Sequence, residues 1–104
     1  MAERTVIWSV TASKQLRHIL EFWIKRNGSN TFSLKLLDRI EDNLEQIKKY
    51  PKKSPESVYP EVRVAAMNHY SIYYRFTPSS IRIEAFWDNR QDPNQLKKII
   101  KNGA

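Results

Sequence analysis

The stretch EVRVAAMNHYSIYYRFTPSSIRIEAFW, residues 61–87, decides the fold because it is typical of three consecutive β-strands. β-Branched and aromatic residues, which favour strands, are concentrated in three runs: residues 61–67, 70–77 and 81–87. Asn68-His69 suits a tight turn between the first two runs, because Asn tolerates a positive φ. Thr77-Pro78-Ser79-Ser80 forms the next turn. The sequence therefore predicts three strands joined by short turns.

Two amphipathic helices are predicted upstream, after a short strand at residues 5–9. Ser9 or Thr11 can cap the first helix. Its apolar residues recur every three or four positions: Leu16, Ile19, Leu20, Trp23 and Ile24. The second helix runs from about Asn30 to Lys49, with its own apolar stripe: Phe32, Leu36, Leu37, Ile40, Leu44 and Ile47. Gly28-Ser29-Asn30 makes the two helices a hairpin, and Pro51 ends the second one.

A short terminal helix is predicted after the last strand. Asp92 is a suitable N-cap, and Pro93 fits a first helical turn. Leu96, Ile99 and Ile100 would form its apolar side, and residues 102–104 are expected to fray. The element order is therefore β-α-α-β-β-β with a short C-terminal helix, an α+β fold in one domain over residues 1–104. A helical hairpin should pack on a mainly antiparallel sheet, with the first strand beside the last and a parallel pairing as one option.

Alternation along the strands predicts which side chains face the helices. We expect one set to pack against the hairpin: Val62, Val64, Ala66, Ile72, Tyr74, Phe76, Ile81, Ile83 and Ala85. The opposite set would form an open face with basic and aromatic residues: Arg63, Ala65, Ser71, Tyr73, Arg75, Arg82, Glu84 and Phe86. Such a face suits RNA, since guanidinium groups hold phosphates and rings stack on bases. The alternative is an ordinary solvated sheet face with Arg–Glu pairs.

Composition restricts the function classes further. The 104 residues include no cysteine, which favours a reducing compartment, and we expect a cytoplasmic protein with no membrane association. Eighteen Lys and Arg against eleven Asp and Glu give a net charge of +7, which favours an anionic partner. With two histidines and no cysteine, no metal site is expected, and two glycines leave no Gly-rich phosphate loop. We therefore expect no cofactor.

Two local features could carry function. His69, in the predicted turn, could act as a general acid or base, although a single histidine is a weak signal. The second feature is the lysine-rich run at residues 48–53, which contains Lys48, Lys49, Lys52 and Lys53. A helix end followed by a solvated loop explains this run most simply. Its other interpretation is a contact strip for phosphate or carboxylate groups.

The chain resembles the RelE/ParE family of toxins from bacterial type II toxin–antitoxin systems. The resemblance is carried by six segments: Trp8-Ser9 before Ala12, Leu20 to Trp23, Ile47 to Pro51, Glu61 to Val64, His69 to Arg75, and Ile83 to Pro93. It implies the α+β fold given above, a cognate antitoxin with an acidic or amphipathic segment, and DNA gyrase or the ribosome with its mRNA as target. For a RelE-like nuclease, the candidate catalytic residues are Arg63, His69, Tyr73, Arg75, Arg82 and Arg90.

The sequence departs from the nuclease pattern of this family at three places. The first hairpin strand offers Arg63 where RelE-like nucleases have two lysines, Ser71 follows Tyr70 where an arginine is usual, and neither Tyr nor His follows Arg90. Three hypotheses result, in this order. The first is a ParE-like toxin that poisons gyrase by binding it, and the second is a ribosome-dependent mRNA endonuclease. The third is an inactive relic that only binds its antitoxin.

Overall fold

Seven helices and strands follow one another along residues 4–102, the part of the chain that this computed structural model describes. They are β1 (Thr5–Trp8), α1 (Val10–Asn27), α2 (Thr31–Lys49), β2 (Arg63–Met67), β3 (Tyr70–Phe76), β4 (Ser80–Asp88) and α3 (Pro93–Asn102). The predicted α+β element order is confirmed. The expected fraying falls at residues 103–104 outside the described part, while Asn102 is the last residue of α3. No helix within residues 4–102 is long and apolar enough to cross a membrane.

Local chemistry explains where the helices begin and end. The Ser9 hydroxyl accepts a hydrogen bond from the backbone N–H of Ala12 at 3.0 Å, so Ser9 is the N-cap of α1. Gly28 follows α1 with φ +66°, a left-handed conformation that costs glycine little, and its N–H donates to the Ile24 carbonyl. Asn30 precedes α2 without a side-chain capping bond. The helical hairpin therefore has one strong cap and one weak one.

The four strands lie in the order β1-β4-β3-β2. β1 pairs with β4 in parallel, which is one of the two pairings expected for the first strand. The pairs β2–β3 and β3–β4 are antiparallel. Met67 pairs with Tyr70, so Asn68 and His69 form the two-residue turn that was predicted, with Asn68 at φ 65°. β2 begins at Arg63 rather than Glu61, which itself has φ 65°.

The predicted faces of β4 are correct up to Glu84, whose carboxylate lies against Arg75 and Arg82, and wrong from Ala85 on. Tyr74 pairs with Ile83 and Tyr73 pairs with Ala85, so Glu84 is an extra residue that forms a β-bulge. One extra residue exchanges the faces of all side chains that follow. Phe86 therefore packs among the residues under the helices, and Ala85 points to the opposite side. Phe86, expected on the open face, is only 1% exposed.

The predicted faces of β2 are also wrong. The two-residue turn places Ala65 opposite Ile72, and residues that are paired across an antiparallel ladder share a face. Ala65 and Met67 therefore pack under the helices, while Ala66 is exposed. Val62, expected under the helices, packs on the other side of the sheet.

Two hydrophobic clusters hold the sheet between layers of helix. The first joins α1 and α2 to the sheet and consists of Ala12, Leu36, Ile40, Ile47, Ala65, Tyr70, Ile72, Tyr74, Ile81, Ile83 and Phe86. The second joins α3 to the opposite face and consists of Val62, Ala85, Trp87, Leu96 and Ile100. The face that was expected to be open is thus partly covered by α3.

Candidate functional site

Glu84, the bulged residue of β4, lies at the centre of the charged groups on the sheet. Its carboxylate is almost fully buried, with the residue 3% exposed. Arg82 donates from Nε to Glu84 Oε1 at 2.7 Å, and Arg75 Nε lies 3.8 Å from Oε2. Arg75 Nε is buried and has no hydrogen-bond partner in the described part of the chain, so its contact with Glu84 is electrostatic. Arg75 also lies 3.6 Å from Glu61.

Arg63 contacts the loop that follows α2. Its Nη1 donates to the carbonyl oxygens of Lys52 at 3.1 Å and Ser54 at 2.7 Å, and its Nη2 lies 3.6 Å from Glu56. Arg63 and Arg75 line one cavity of about 610 Å³, together with Tyr59, Glu56, Glu61 and neighbouring residues. Two of the predicted arginines therefore line the same cavity, and the carboxylates of Glu56 and Glu61 line it as well.

Tyr73 is directed into the second hydrophobic cluster. Its ring packs edge-on against Tyr59, with ring centroids 6.1 Å apart. Burial raises the pKa of the Tyr73 hydroxyl, and the neighbouring Tyr59 adds to this effect. The phenol therefore stays protonated at neutral pH, so it is unsuited to act as a base there. His69 is exposed in the turn between β2 and β3.

Arg90, after the end of β4, lies beside a mixed aromatic and charged cavity. It makes two side-chain hydrogen bonds to Asp88, both at 2.9 Å, and its guanidinium lies 5.9 Å from the centroid of the Tyr70 ring. The Tyr70 hydroxyl accepts a hydrogen bond from Trp23 Nε1 at 2.9 Å. The cavity measures about 440 Å³ and is lined by His18, Ile19, Phe22, Trp23, Arg26, Tyr70, Asp88, Arg90 and Gln91.

The Asp88–Arg90 pair changes the titration of both groups. The hydrogen bonds from Arg90 lower the pKa of the Asp88 carboxyl, and the positive charges of Arg90 and His69 act in the same direction. Asp88 in turn raises the pKa of Arg90. Asp88 thus stays ionised at neutral pH and offsets the charge of Arg90.

Neighbouring carboxylates offset the positive charge of the predicted arginines. Each of the four predicted arginines has a carboxylate neighbour: Glu56 for Arg63, Glu61 and Glu84 for Arg75, Glu84 for Arg82, and Asp88 for Arg90. A neighbouring carboxylate reduces the attraction of a guanidinium for a phosphate. Among residues 4–102, no group of three or more His, Asp or Glu is placed to hold a metal ion.

Comparison with known proteins identifies the family. A family model described as the ParE toxin of the type II toxin–antitoxin system parDE matches residues 6–93. The chain belongs to the ParE toxin family. A search among curated proteins found no match. A chain of the solved structure of the chromosomal ParDE system from P. aeruginosa has the same fold, with a TM-score of 0.70 at 18% identity, over 82% of this chain and 95% of that one.

Membership of the ParE toxin family makes this chain the toxin of a toxin–antitoxin module, and it implies an antitoxin as partner. The resemblance drawn from the sequence is thereby confirmed. The six candidate residues of this ParE-family toxin lie in different places: Arg63 and Arg75 at the cavity beside β2, Arg75 and Arg82 around Glu84, Tyr73 against α3, His69 in the hairpin turn, and Arg90 in the tail. Four of them, Arg63, Tyr73, Arg75 and Arg82, were expected on the open face, but the pairing of Arg63 with Tyr74 places Arg63 on the side of the sheet under the helices.

Sequence reasoning missed several residues around the cavities of this ParE-family toxin. Trp23 and Tyr70 were assigned to the core or to a strand, and their hydrogen bond joins residues 47 positions apart. No local pattern signals such a contact. Asp88 could have been predicted as a partner of Arg90, because a carboxylate two residues before an arginine can accept two hydrogen bonds from its guanidinium. Phe22 lies off the apolar stripe of α1, and an aromatic residue outside the stripe is expected to be exposed. The Phe22 side chain is indeed 53% exposed.

Proposed function

We propose that this toxin inhibits growth by binding DNA gyrase, as a single ParE-like domain without ribonuclease activity. One observation carries the proposal: all four candidate arginines are accompanied by carboxylates at distances between 2.7 and 3.8 Å. Cleavage of RNA by its own 2′-hydroxyl needs positive charge around the scissile phosphate together with a general acid and base. A set of neutralised, dispersed arginines supports binding over cleavage.

Tyr73 and His69 supply the second line of support. The raised pKa and the packing of Tyr73 make it a poor base at neutral pH. His69 is exposed in a turn, where water surrounds it and few groups can orient it toward a phosphate. A nuclease requires a general base, a general acid and cations around one phosphate. Neither Tyr73 nor His69 lies in such a site with two or more of the arginines.

The decisive experiment is induction of the toxin followed by two measurements on the same cells. Mapping of transcript 5′ ends should show intact messages, and pulsed-field gels should show broken chromosomal DNA. Purified toxin should also increase the covalent gyrase–DNA complex in a plasmid cleavage assay. Rapid cutting of transcripts at codon positions would instead establish the endonuclease hypothesis. Normal growth despite tight antitoxin binding would establish the inactive relic.

The proposed antitoxin-binding surface is the cavity between α1 and the end of β4. Phe22 and Trp23 pack edge-on with ring centroids 5.1 Å apart, and Trp23 also contacts Phe32 at 4.8 Å. Arg26 and Arg90 line the same cavity as Phe22. An amphipathic acidic segment would bury apolar side chains on the rings and place carboxylates near the guanidinium groups.

This surface is tested with Phe22→Ser, because Phe22 is 53% exposed and its removal should leave the toxin core intact. We expect antitoxin binding, measured by calorimetry, to weaken about tenfold or more. Val58→Ser is the matched control, since Val58 is 90% exposed and lies outside the cavity. Equal affinities of the two variants would place the antitoxin elsewhere.

A further inference from the structure

The loop after α2 concentrates positive charge around one cavity. The cavity measures about 480 Å³ and is lined by Arg4, Lys49, Tyr50, Pro51, Lys52, Lys53 and Phe76. We call residues 49–53 the lysine loop. Four of the seven lining residues are cationic and none is acidic. Within residues 4–102, neither Lys49, Lys52 nor Lys53 forms an ion pair, in contrast to the arginines described above.

The backbone of the lysine loop is held in place by side chains from the sheet. The buried Tyr74 hydroxyl donates to the Pro51 carbonyl at 2.6 Å. Arg63 donates to the carbonyls of Lys52 and Ser54. The N–H of Lys53 also donates to the Tyr50 carbonyl at 3.0 Å, which closes a turn. Because the backbone of the loop is ordered before a ligand binds, binding costs less conformational entropy in the loop.

Arg4, beside the lysine loop, and Tyr50, within it, add further hydrogen-bond donors to this surface. Arg4 is oriented by its hydrogen bonds to the carbonyls of Thr77 and Lys48, and its guanidinium lies 5.9 Å from the Phe76 ring centroid. Tyr50 is 58% exposed, so its hydroxyl is available as a hydrogen-bond donor. Lys, Arg and Tyr side chains are among the groups that proteins use to contact phosphate oxygens.

We propose that the lysine loop, with Arg4 and Tyr50, binds the phosphodiester backbone of duplex DNA. The lining cations are suited to phosphate oxygens rather than to base edges, so affinity should follow the density of phosphate charge. Duplex DNA carries one negative charge per about 1.7 Å of its axis, against one per about 3.4 Å for each strand, so it offers these cations a denser row of phosphates than a single strand does. The binding is independent of sequence, and this inference does not require gyrase to be the target.

An acidic protein segment fits the lysine loop less well. An amphipathic antitoxin also needs apolar surface, and the exposed rings Phe22 and Phe32 lie near the opposite end of α2. Phe32 and Lys49 are separated by about 25 Å along the helix, at 1.5 Å per residue. The lysine loop can therefore contact DNA while the cavity beside Phe22 is occupied.

The test is fluorescence anisotropy of the full chain with a labelled 20-base-pair duplex at several salt concentrations. The variant Lys49→Gln/Lys52→Gln/Lys53→Gln should bind at least tenfold more weakly, and the slope of log affinity against log salt should fall by about 3. The matched control Lys97→Gln/Lys98→Gln/Lys101→Gln removes the same charge from exposed positions of α3 and should change affinity less than threefold. The charge reversal Lys52→Glu, at an exposed residue, provides an independent variant.

Circular dichroism establishes that each variant is folded before binding is compared. The proposal is overturned if both triple variants lose affinity equally, because the effect would then be one of net charge. It is also overturned if single-stranded RNA of equal length binds more tightly than the duplex, or if the wild-type chain binds no duplex. Preferential binding of a poly-glutamate peptide at the lysine loop would assign the surface to an acidic protein segment instead. None of these results depends on a gyrase assay.

Discussion

The indole Nε1 of Trp23 donates a hydrogen bond to the hydroxyl of Tyr70 at 2.9 Å, and this contact joins the C-terminal part of α1 to the first residue of β3. Tyr70 in turn stacks on Phe86, with ring centroids 5.4 Å apart and an interplanar angle of 16°. The two contacts form a continuous path from the helical hairpin through the sheet. The same Tyr70 ring faces the Arg90 guanidinium, so the path ends in the tail that follows β4.

Removal of the Trp23–Tyr70 hydrogen bond should destabilise the fold measurably. We expect Tyr70→Phe to lower the free energy of unfolding by about 1 kcal/mol, since the partly buried indole N–H then loses its partner. A double-mutant cycle with Trp23→Phe, measured by urea unfolding, should give a coupling energy of about 0.5–1.5 kcal/mol. Tyr50→Phe is the control, because Tyr50 is exposed, and should change stability by less than about 0.5 kcal/mol. A coupling energy of zero would contradict the contact.

The two helix N-termini should differ in their sensitivity to mutation. Ser9→Ala removes the capping bond to Ala12 and a second bond to the Glu84 carbonyl, at 3.3 Å, so we expect a loss of about 1–2 kcal/mol. Asn30→Ala removes no capping bond from α2, and we expect only a few tenths of a kcal/mol. Thermal unfolding of both variants measures the difference. Equal losses would show that the Ser9 cap is not the cause.

Much of the fold was predictable because its signals are local. The Ser9 cap, the turn at Asn68-His69 and the terminal helix after Asp92 each depend on a few neighbouring residues, and all are present in the structure. The helix stripes pack against the sheet except at Ile24 and Phe32, which are exposed. The turn even contains the correct register, since a two-residue connection places Ala65 opposite Ile72. The predicted faces of β2 are wrong because they follow the apolar character of Val62 and Val64 rather than this pairing.

The bulge at Glu84 was not predictable in the same way. Apolar and polar residues alternate from Ile81 to Ala85, but Phe86 and Trp87 continue as an apolar run, and such a run does not mark where a residue is inserted. The bulge becomes reasonable only with its tertiary partners, because it directs a carboxylate between Arg75 and Arg82. Site prediction failed at the same point. The residue types indicate which four arginines line the candidate site. Their carboxylate neighbours depend on pairing across strands and loops, which the residue types do not indicate.

The Asp88–Arg90 pair should make stability depend on pH in the acid range. Hydrogen bonds from Arg90 lower the pKa of Asp88 in the folded state, so the stabilisation is fully present above the unfolded value of about 3.9 and is lost as the pH falls through the lower folded pKa. We expect Asp88→Asn to unfold at a lower temperature than the wild type at pH 7, and the difference to shrink below about pH 4 and to disappear once the pH is below the folded pKa of Asp88. Titration of the Asp88 carboxyl carbon by NMR should give a value below 3.9. A midpoint above that value would contradict the pair.

Glu84→Gln should be the most informative change on the sheet. The carboxylate is buried, its side chain being 1% exposed, and it stands between two guanidinium groups. An amide keeps the shape but removes the charge, which leaves Arg82 without its carboxylate and Arg75, opposite it, with only the exposed Glu61. Both arginines retain some contact with water, which reduces the cost, and we expect a loss of about 1–3 kcal/mol in urea unfolding.

Glu61→Gln is the matched control for Glu84, because Glu61 also pairs with Arg75 but its side chain is 88% exposed. We expect a change of less than about 0.5 kcal/mol, since an exposed ion pair is screened by water and salt. The two losses should also respond differently to 0.5 M NaCl, which should leave most of the Glu84 effect and little of the Glu61 effect. Equal effects at both positions would mean that burial at the bulge does not strengthen the pair, and that β4 tolerates Glu84 merely as a polar residue.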